Sequence, residues 1–303
     1  MRKTWVVCLL AMVCCALWGS AFPCIKVGYR LFQIDSADTA TQILFAGCRF
    51  TIAGIMVILF GSILQGRFLK PGKGDLPRIG KICLLQTVIQ YFFFYVGLAH
   101  TTGVKGSIVE ASNVFLAILV SSLIFHQEKL DQKKVLGCIV GFAGVVLINL
   151  SGSNVDMSFN LTGDGFIFIS AIAYALSSVL IKKYSAKSDP VMLSGYQFTA
   201  GGLVMGGRIH TASMPAMILL IYMALISAVA YTLWGILLKY NPVSKVSIFG
   251  FTNPVFGVLL SAIILREGNV FGMKDLIALV LVSIGILIVN WAKPVGEKEK
   301  GMN

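Results

Sequence analysis

The sequence predicts an all-α integral membrane protein, with ten transmembrane helices arranged as two inverted repeats of five. Three observations support this prediction. The apolar residue types AVILMFWYC make up 57% of the 303 residues, whereas charged residues make up only 13%. The mean hydropathy of +0.85 is far above that of a soluble domain. Long apolar stretches recur along the whole chain, and the second half repeats motifs of the first half in the same order.

The apolar stretches are each about 20 residues long, which is enough to cross roughly 30 Å of hydrocarbon as a helix. Only short polar loops separate them, so a sizeable water-soluble domain is excluded. We number the predicted segments 1 to 10 in chain order: 5–26, 41–64, 79–99, 103–125, 134–150, 164–182, 191–207, 214–238, 245–264 and 274–292.

The internal repeat is clearest between segments 4 and 9, where KGSIVEASNVF aligns without gaps on KVSIFGFTNPV at a shift of 140 residues. The same shift aligns Tyr91 with Tyr231. GCRFTIAG in segment 2 matches GYQFTAGG in segment 7 at a shift of 148, and the dipeptide IK near the ends of segments 1 and 6 matches at 156. AGVVLIN in segment 5 matches IGILIVN in segment 10 at a shift of 141. Two copies of one membrane unit are typical of a transporter.

An odd number of spans in each repeat means that the second repeat enters the membrane from the opposite side, which makes the repeats inverted. We therefore predict a first five-helix repeat at 1–150 and an external linker at 151–163. A second repeat follows at 164–292, and a cytoplasmic tail at 293–303. In such proteins the substrate site lies between the repeats, near the middle of the membrane.

The distribution of basic residues predicts the orientation. Of the 25 Lys and Arg residues, 18 fall on the side that holds both termini and 6 on the other side, and Arg49 lies within a span. By the positive-inside rule, both termini are cytoplasmic, and we assign the chain to the plasma membrane as a multi-pass protein. This bias also accounts for the net charge of +12. Nucleic acid is excluded as a partner, because no basic stretch is interleaved with exposed aromatic residues.

Several motifs resemble the EamA-type drug/metabolite transporter superfamily. They are ALWGSAFPCIK in segment 1, CRF and YQF at the starts of segments 2 and 7, and NPVFGVLLSAIILRE in segment 9. Together with the five-plus-five layout, the resemblance covers roughly residues 5–292. It implies a ten-helix bundle with inverted symmetry that exports or imports small metabolites, amino acids among them. Two features depart from the family pattern: segment 4 has Asn113–Val114 where a Glu-Pro pair is common, and segment 7 has only 17 residues, the lower limit for a span.

Arg49 and Glu110 are the two charged residues placed well inside the predicted spans, about 12 Å and 10 Å below the outer surface. A lone charge at such depth costs at least about 2.5–3.5 kcal/mol, so both side chains should face the protein interior. One interpretation makes Arg49 a substrate-binding residue and Glu110 the proton-coupling group. The alternatives are a structural ion pair between them, or an Arg49 side chain that extends to the outer interface.

Two asparagines are predicted to share the site, because Asn113 in segment 4 and Asn253 in segment 9 both fall near the membrane midplane. Asn113 lies on the same helix face as Glu110. Pro254 has no backbone N–H, so carbonyl groups near Gly250 should be free for a ligand or cation. The alternative role for both asparagines is interhelical hydrogen bonding, worth about 0.6–2 kcal/mol each.

Further candidates for substrate binding are aromatic and amide side chains away from the membrane interfaces. They are Trp18, Tyr91, Tyr231, Trp234, Gln90 and Gln197. The aromatic residues could line a cavity or simply pack, and the glutamines could line it or bond neighbouring helices.

Enzyme signatures are absent from the sequence. The three His and seven Cys show no metal-ligand spacing, and no Walker loop is present, so we predict no catalytic residues and no cofactor. We predict a secondary transporter, an exporter or exchanger of a small metabolite such as an amino acid, that works by alternating access. The rival classes are a membrane-embedded lipid-modifying enzyme and a non-transporting membrane subunit. Candidate partners are the lipid bilayer, the small-molecule substrate, a proton and a second copy of the chain.

Overall fold

The structure is a computed structural model that describes residues 3–35, 38–101, 106, 109–150, 159–205, 213–265 and 273–291. All regular secondary structure in these ranges is helical. The all-α part of the predicted fold class is therefore confirmed. Residues 151–158 of the predicted linker and the whole predicted tail lie outside the described residues.

The first half of the chain contains six described helices: α1 (Thr4–Leu31), α2 (Thr39–Leu64), α3 (Leu76–Ile82), α4 (Gln90–Ala99), α5 (Ser112–Leu119) and α6 (Gln132–Leu150). A π-helical segment, Cys83–Ile89, joins α3 to α4 without a break, and a second one, Val120–Ile124, extends α5.

The second half begins with a π-helical turn, Leu161–Gly165, that leads into the first of its described helices. A 3₁₀ segment, Ile248–Phe251, joins two of the others. The helices are α7 (Phe166–Tyr184), α8 (Pro190–Val204), α9 (Met214–Tyr240), α10 (Val243–Ser247), α11 (Thr252–Leu265) and α12 (Met273–Trp291).

Five stretches in the described part of the chain are long and apolar enough to cross a membrane: Thr4–Leu31, Thr39–Leu64, Leu76–Leu98, Leu161–Tyr184 and Met214–Tyr240. Two shorter apolar helices accompany them, Ser112–Ile124 and Leu276–Asn290. Large apolar side chains such as Ile63 and Leu64 remain exposed on the outside of the bundle, as expected for a lipid-facing surface. The chain is therefore a multi-pass membrane protein.

Helix α8, which corresponds to segment 7, is even shorter than the sequence predicts. Its 15 residues span about 22 Å at 1.5 Å per residue. Asp189 begins the helix by accepting a 2.8 Å hydrogen bond from the Val191 N–H, and Pro190 occupies the first helical position, where its missing N–H is harmless. The helix ends at Val204, and residues 206–212 lie outside the described ranges.

Each half contains a point at which regular α-helical geometry is interrupted. Val109 and Glu110 are helical, Ala111 is a turn, and α5 begins at Ser112. In the second half the 3₁₀ segment ends at Phe251 and α11 begins at Thr252. Ser112 and Thr252 are aligned by the 140-residue shift of the repeat, so the two interruptions occupy equivalent positions.

The expectation that carbonyl groups near Gly250 are free is wrong for the two carbonyls next to the interruption. The Thr252 N–H points to the carbonyl oxygens of Phe249 and Gly250. The Phe249 oxygen also accepts hydrogen bonds from Thr252 Oγ1 at 2.7 Å and from Cys15 Sγ at 3.2 Å. The Phe249 carbonyl is thus paired with side chains, and the Gly250 carbonyl, which the missing N–H of Pro254 leaves without a helical partner, faces the Thr252 N–H.

Close backbone contacts join α2 to α8 at four glycines. A methyl group on Gly47 would lie 2.9 Å from the carbonyl oxygen of Gly202, and one on Gly54 would lie 2.6 Å from that of Gly195. Helices α6 and α12 meet in the same manner, because a methyl group on Gly137 would lie 2.8 Å from the Gly285 oxygen. Small residues allow such close approach, which stabilises helix pairs in lipid.

We expect Gly54→Ala to destabilise the protein by about 1–3 kcal/mol, because its methyl group would overpack the α2–α8 contact. The new carbon would lie 2.4 Å from the backbone nitrogen of Thr199, and a backbone atom cannot move aside cheaply. Gly80→Ala in α3 is the matched control, since nothing lies within 4 Å of the added methyl group. Thermal unfolding in detergent should show a lower Tm for Gly54→Ala alone. Equal Tm values for the two variants would contradict the close contact.

Candidate functional site

A cavity of about 110 Å³ lies inside the bundle and is lined by residues from both halves of the chain. In the first half, the lining comes from α1, α2, α4 and α5 with the residue Glu110 before it. In the second half it comes from α7, α9, α10, the 3₁₀ segment and α11. Eight of the ten predicted site residues line it: Trp18, Arg49, Gln90, Tyr91, Glu110, Asn113, Tyr231 and Asn253. Residues from six helical elements that are distant in sequence therefore meet at one place.

Arg49 is held from one side and open on the other. Its side chain is 3% exposed, and Nε donates to Ser227 Oγ at 2.9 Å and to the Met223 carbonyl oxygen at 3.2 Å. The guanidinium carbon lies 5.3 Å from the centre of the Phe50 ring, a cation–π distance. The Tyr95 hydroxyl also interacts with this guanidinium group. Arg49 lines the cavity, where its guanidinium group can bind an anionic group.

Glu110 lines the same cavity but does not pair with Arg49, so the structural ion pair that the sequence left open is not formed. Glu110 Oε1 accepts a 3.2 Å hydrogen bond from Asn113 Nδ2. Its Oε2 atom is buried and has no hydrogen-bond partner in the described part of the chain. Arg49 bonds to α9, whereas Glu110 bonds to Asn113 across the turn at Ala111. The second alternative for Arg49 is also wrong, because its buried head group does not extend to an interface.

Aromatic rings form one wall of the cavity. The ring of Trp18 lies edge-on to Tyr231 and to Trp234, with 5.0 Å between ring centres in each pair. The hydroxyl groups of Tyr91 and Tyr231 share a hydrogen bond. Trp234 stands behind Trp18 and does not reach the described lining, so the structure gives it a packing position.

Gln197 also lies away from the cavity. It is fully buried, and its amide nitrogen donates to Gln86 Oε1 at 3.0 Å. Its amide oxygen accepts a 2.6 Å hydrogen bond from Thr87 Oγ1. This arrangement is the interhelical hydrogen bonding that the sequence analysis held as the alternative.

Sequence reasoning missed two polar residues of the lining, Tyr174 and Ser247. Tyr174 could have been found, because the 156-residue shift that aligns the IK dipeptides also aligns Tyr174 with Trp18. Ser247 precedes the 3₁₀ segment and is 2% exposed. Its counterpart at the 140-residue shift is Ser107, which lies outside the described residues.

The long apolar helices and the cavity between them define a multi-pass membrane protein. The chain belongs to the EamA-like transporter family, whose sequence model matches residues 5–150 and again residues 161–291. It is thus a membrane transporter by family. The two matched ranges together cover nearly the whole chain.

Curated relatives agree with this assignment. An uncharacterized transporter of Archaeoglobus fulgidus is 25% identical and is covered over 95% of this chain and 98% of its own length. The uncharacterized transporter YvbV of Bacillus subtilis is 26% identical over 95% of this chain and 92% of its own length. A WAT1-related chloroplastic protein of Arabidopsis thaliana is 25% identical over 90% and 67%.

A solved crystal structure of another protein, 16% identical, superposes with a TM-score of 0.75 over 95% of this chain and 98% of that one. At this level of identity the likeness shows a common fold.

Proposed function

We propose that this protein is a secondary transporter that exports or exchanges a small metabolite, such as an amino acid, by alternating access. The main support for this proposal is the cavity, which lies between the two halves and combines a basic group, an acidic group and aromatic rings. Binding sites of secondary transporters occupy such a position at the interface of their repeats. Family membership also favours a transporter over the rival lipid-modifying enzyme.

The cavity adjoins a pseudo-two-fold axis. Tyr91 and Tyr231, which the 140-residue shift aligns, touch each other through their hydroxyl groups. Phe50 and Phe198, which the 148-residue shift aligns, stack with ring centres 5.2 Å apart. Equivalent residues of two symmetry-related units meet where the axis passes. These pairs support two inverted repeats at 1–150 and 164–292, joined by the linker.

Contacts away from the axis occur in reciprocal pairs. Gly47 meets Gly202 while Gly54 meets Gly195, which is the exchange of partners that a two-fold axis requires. Two hydrogen bonds between the halves are also related by the repeat. Arg49 donates to Ser227, and the counterpart of Arg49, Gln197, accepts from Thr87, the counterpart of Ser227. Counterparts here are the residues that the shifts of 148 and 140 align. This pattern supports a ten-helix bundle even though α8 is short.

Alternating access requires contacts between the halves that can break in turn at each face. At the face predicted to be cytoplasmic, Glu128 accepts a 2.9 Å hydrogen bond from the Ser244 N–H and a 2.8 Å ion-pair contact from Lys134 Nζ. At the opposite face, Thr101 Oγ1 donates to Asp164 Oδ1 at 2.6 Å. The contact at each face joins the first half to the second through a few polar groups. A small rotation of one half against the other would be enough to break it.

A second contact at the predicted cytoplasmic face involves Asp75, which accepts a 2.6 Å hydrogen bond from Ser188 Oγ and a 2.9 Å bond from Arg78. These partners, led by Ser188, hold the pKa of the Asp75 carboxyl below its usual range. The carboxylate form that makes these bonds is therefore maintained at neutral pH. We assign this face to the cytoplasm of a plasma-membrane protein, with both termini on the same side.

Glu110 is the proposed coupling group, because it is the one acid among the described lining residues. The charged and titratable side chains that face it across the cavity are Arg49, Tyr91, Tyr174 and Tyr231. In this proposal the solute binds at Arg49 and the proton at Glu110 in the same cavity, so that occupancy of one position affects the other and couples the two fluxes. Exchange without a coupled ion is the alternative that the same cavity allows, and a second copy of the chain is a proposed partner.

The test of the proposed function starts from an untargeted comparison of metabolites. Cells that make the wild-type protein are compared with cells that make an Asn113→Ala/Asn253→Ala variant at the same level. We expect one chemical class to differ between cells and medium, and its members should be taken up or exchanged by proteoliposomes. Identical metabolite profiles together with inactive proteoliposomes would contradict the function.

A further inference from the structure

Four buried oxygen atoms of the cavity lining lack a hydrogen-bond partner in the described part of the chain. Gln90 and Ser247 are only 5% and 2% exposed, yet Gln90 Oε1 and Ser247 Oγ have no partner among the described residues. Glu110 Oε2 and Asn253 Oδ1 are also buried and also have no hydrogen-bond partner among the described residues. All four residues line the cavity.

Leaving buried polar atoms unpaired is costly, because each loses its hydrogen bonds to water and gains nothing in return. Native proteins therefore pair nearly all such atoms with protein, water or a ligand. Four unpaired oxygen atoms in one small cavity indicate that a bound species supplies positive charge or hydrogen-bond donors. The buried, unpaired donors among the described lining residues are the Trp18 indole N–H and the Ser247 hydroxyl, which can donate one bond. These two donors cannot pair all four oxygens.

We propose that Glu110, Asn253, Ser247 and Gln90 form a binding site for a small monovalent cation, either an inorganic ion or the primary ammonium group of a solute. The site offers one carboxylate and three neutral oxygens, which are the hard ligands that such a cation prefers. Divalent metals usually require more carboxylate ligands. No group of three or more His, Cys, Asp or Glu residues capable of holding a metal occurs within the described ranges.

The surroundings of the site are consistent with a positive occupant. Tyr91, Tyr174 and Tyr231 belong to the same lining, and aromatic rings attract cations. Arg49 opposes a cation by charge, but its Nε is held by Ser227 and its guanidinium group lies over Phe50. A cation at Glu110 leaves the guanidinium group of Arg49 able to bind an anion at the same time.

Binding at this site can be tested without transport, although the site belongs to the cavity on which the proposed function rests. The Tm of the purified full-length protein in detergent is measured in equimolar chloride salts of sodium, potassium, methylammonium and N-methylglucamine. The last cation is too bulky for the cavity and serves as the reference. We expect sodium, potassium or methylammonium to raise the Tm by about 2 °C or more, since a ligand that binds only the folded state stabilises it.

Three variants test whether the rise in Tm depends on residues of the cavity. Glu110→Gln and Ser247→Ala should each abolish the rise in Tm. Ser170→Ala should retain it, because Ser170 is equally buried and its hydroxyl is also unpaired, but it does not belong to the described lining. If Glu110→Gln does not fold, the Tm of Ser247→Ala in the same salts decides whether the rise depends on the cavity.

The pattern of active salts identifies the source of the charge. A rise with sodium or potassium assigns the site to an inorganic ion, and a rise with methylammonium alone assigns it to the ammonium group of a solute. The proposal is overturned if no salt raises the Tm of the wild-type protein, or if the rise persists in both cavity variants. Binding of a solute that still depends on Arg49 would then leave the proposed function intact.

Discussion

Replacement of Glu110 by Gln is expected to abolish the dependence of transport on a pH gradient while exchange of solute continues. The amide cannot gain or lose a proton, but it keeps the size of the carboxyl group and can still accept the hydrogen bond that Asn113 Nδ2 donates. The fold should therefore survive the change. Uptake into proteoliposomes, measured with and without an imposed pH gradient, tests this prediction once a solute is known.

Glu128→Gln is the matched control for this experiment. Glu128 is also a poorly exposed glutamate, with a side chain that is 7% exposed, but it is not among the described lining residues. Its variant should remain sensitive to the pH gradient, although loss of the contact with Lys134 should lower the stability of the protein. If Glu110→Gln keeps the full pH dependence of the wild-type protein, the carboxylate is structural and coupling through it is excluded.

Replacement of Arg49 by Ala is expected to weaken the binding of solutes that carry a carboxylate by about 10- to 100-fold. A hydrogen bond to a charged group is worth about 1.5–3 kcal/mol, and the loss of one such bond from the Arg49 guanidinium corresponds to this change in affinity. Binding of neutral analogues should change far less. Competition binding in detergent with matched pairs of acidic and neutral solutes measures the difference.

Gln197→Ala provides the control for Arg49→Ala, because Gln197 is the residue aligned with Arg49 in the repeat. Its side chain bonds Gln86 and Thr87 and does not reach the described lining. We expect this variant to lose stability but to keep the same preference for acidic solutes. Equal losses for acidic and neutral solutes in Arg49→Ala would show that Arg49 supports the fold and does not recognise the carboxylate.

The sequence predicted the helical membrane class because apolar composition and segment length act through the bilayer, independently of the detailed packing. The repeat shifts also located contacts. Tyr91 and Tyr231 were aligned from the sequence, and residues that a two-fold axis relates can touch on that axis. In the same way, the alignment of Tyr174 with Trp18 could have predicted that Tyr174 lines the cavity.

The directions of side chains could not be predicted from the sequence. Arg49 and Glu110 have similar predicted depths, which made an ion pair the economical expectation. Depth is only one coordinate, however, and rotation about each helix axis turns Arg49 toward Ser227 on α9. The same applies to Gln197, which the packing of α8 turns toward Thr87. Such rotations depend on side chains of distant segments, which no local pattern contains.

The interruption of the two central helices was predictable in only one half. Pro254 marks the second interruption, because it lacks an N–H and disfavours a continuous helix before it. The first interruption at Ala111 has no proline nearby, and Val114 occupies the position that aligns with Pro254. Only the alignment of the repeats relates Ser112, where α5 begins, to Thr252.

The central claim is that the cavity between inverted halves opens alternately to each side of the membrane, and cysteine accessibility tests it most directly. Ala21 lines the cavity and is 7% exposed. Ala21→Cys, on a background without other accessible thiols, is treated with an impermeant thiol reagent in right-side-out and inside-out vesicles. Phe159→Cys and Lys73→Cys, at exposed positions, calibrate the outer and inner faces. We predict that Phe159→Cys reacts only from outside, Lys73→Cys only from inside, and Ala21→Cys from both sides. Reaction of Ala21→Cys from one side alone, or of both calibration positions from the same side, would contradict the account.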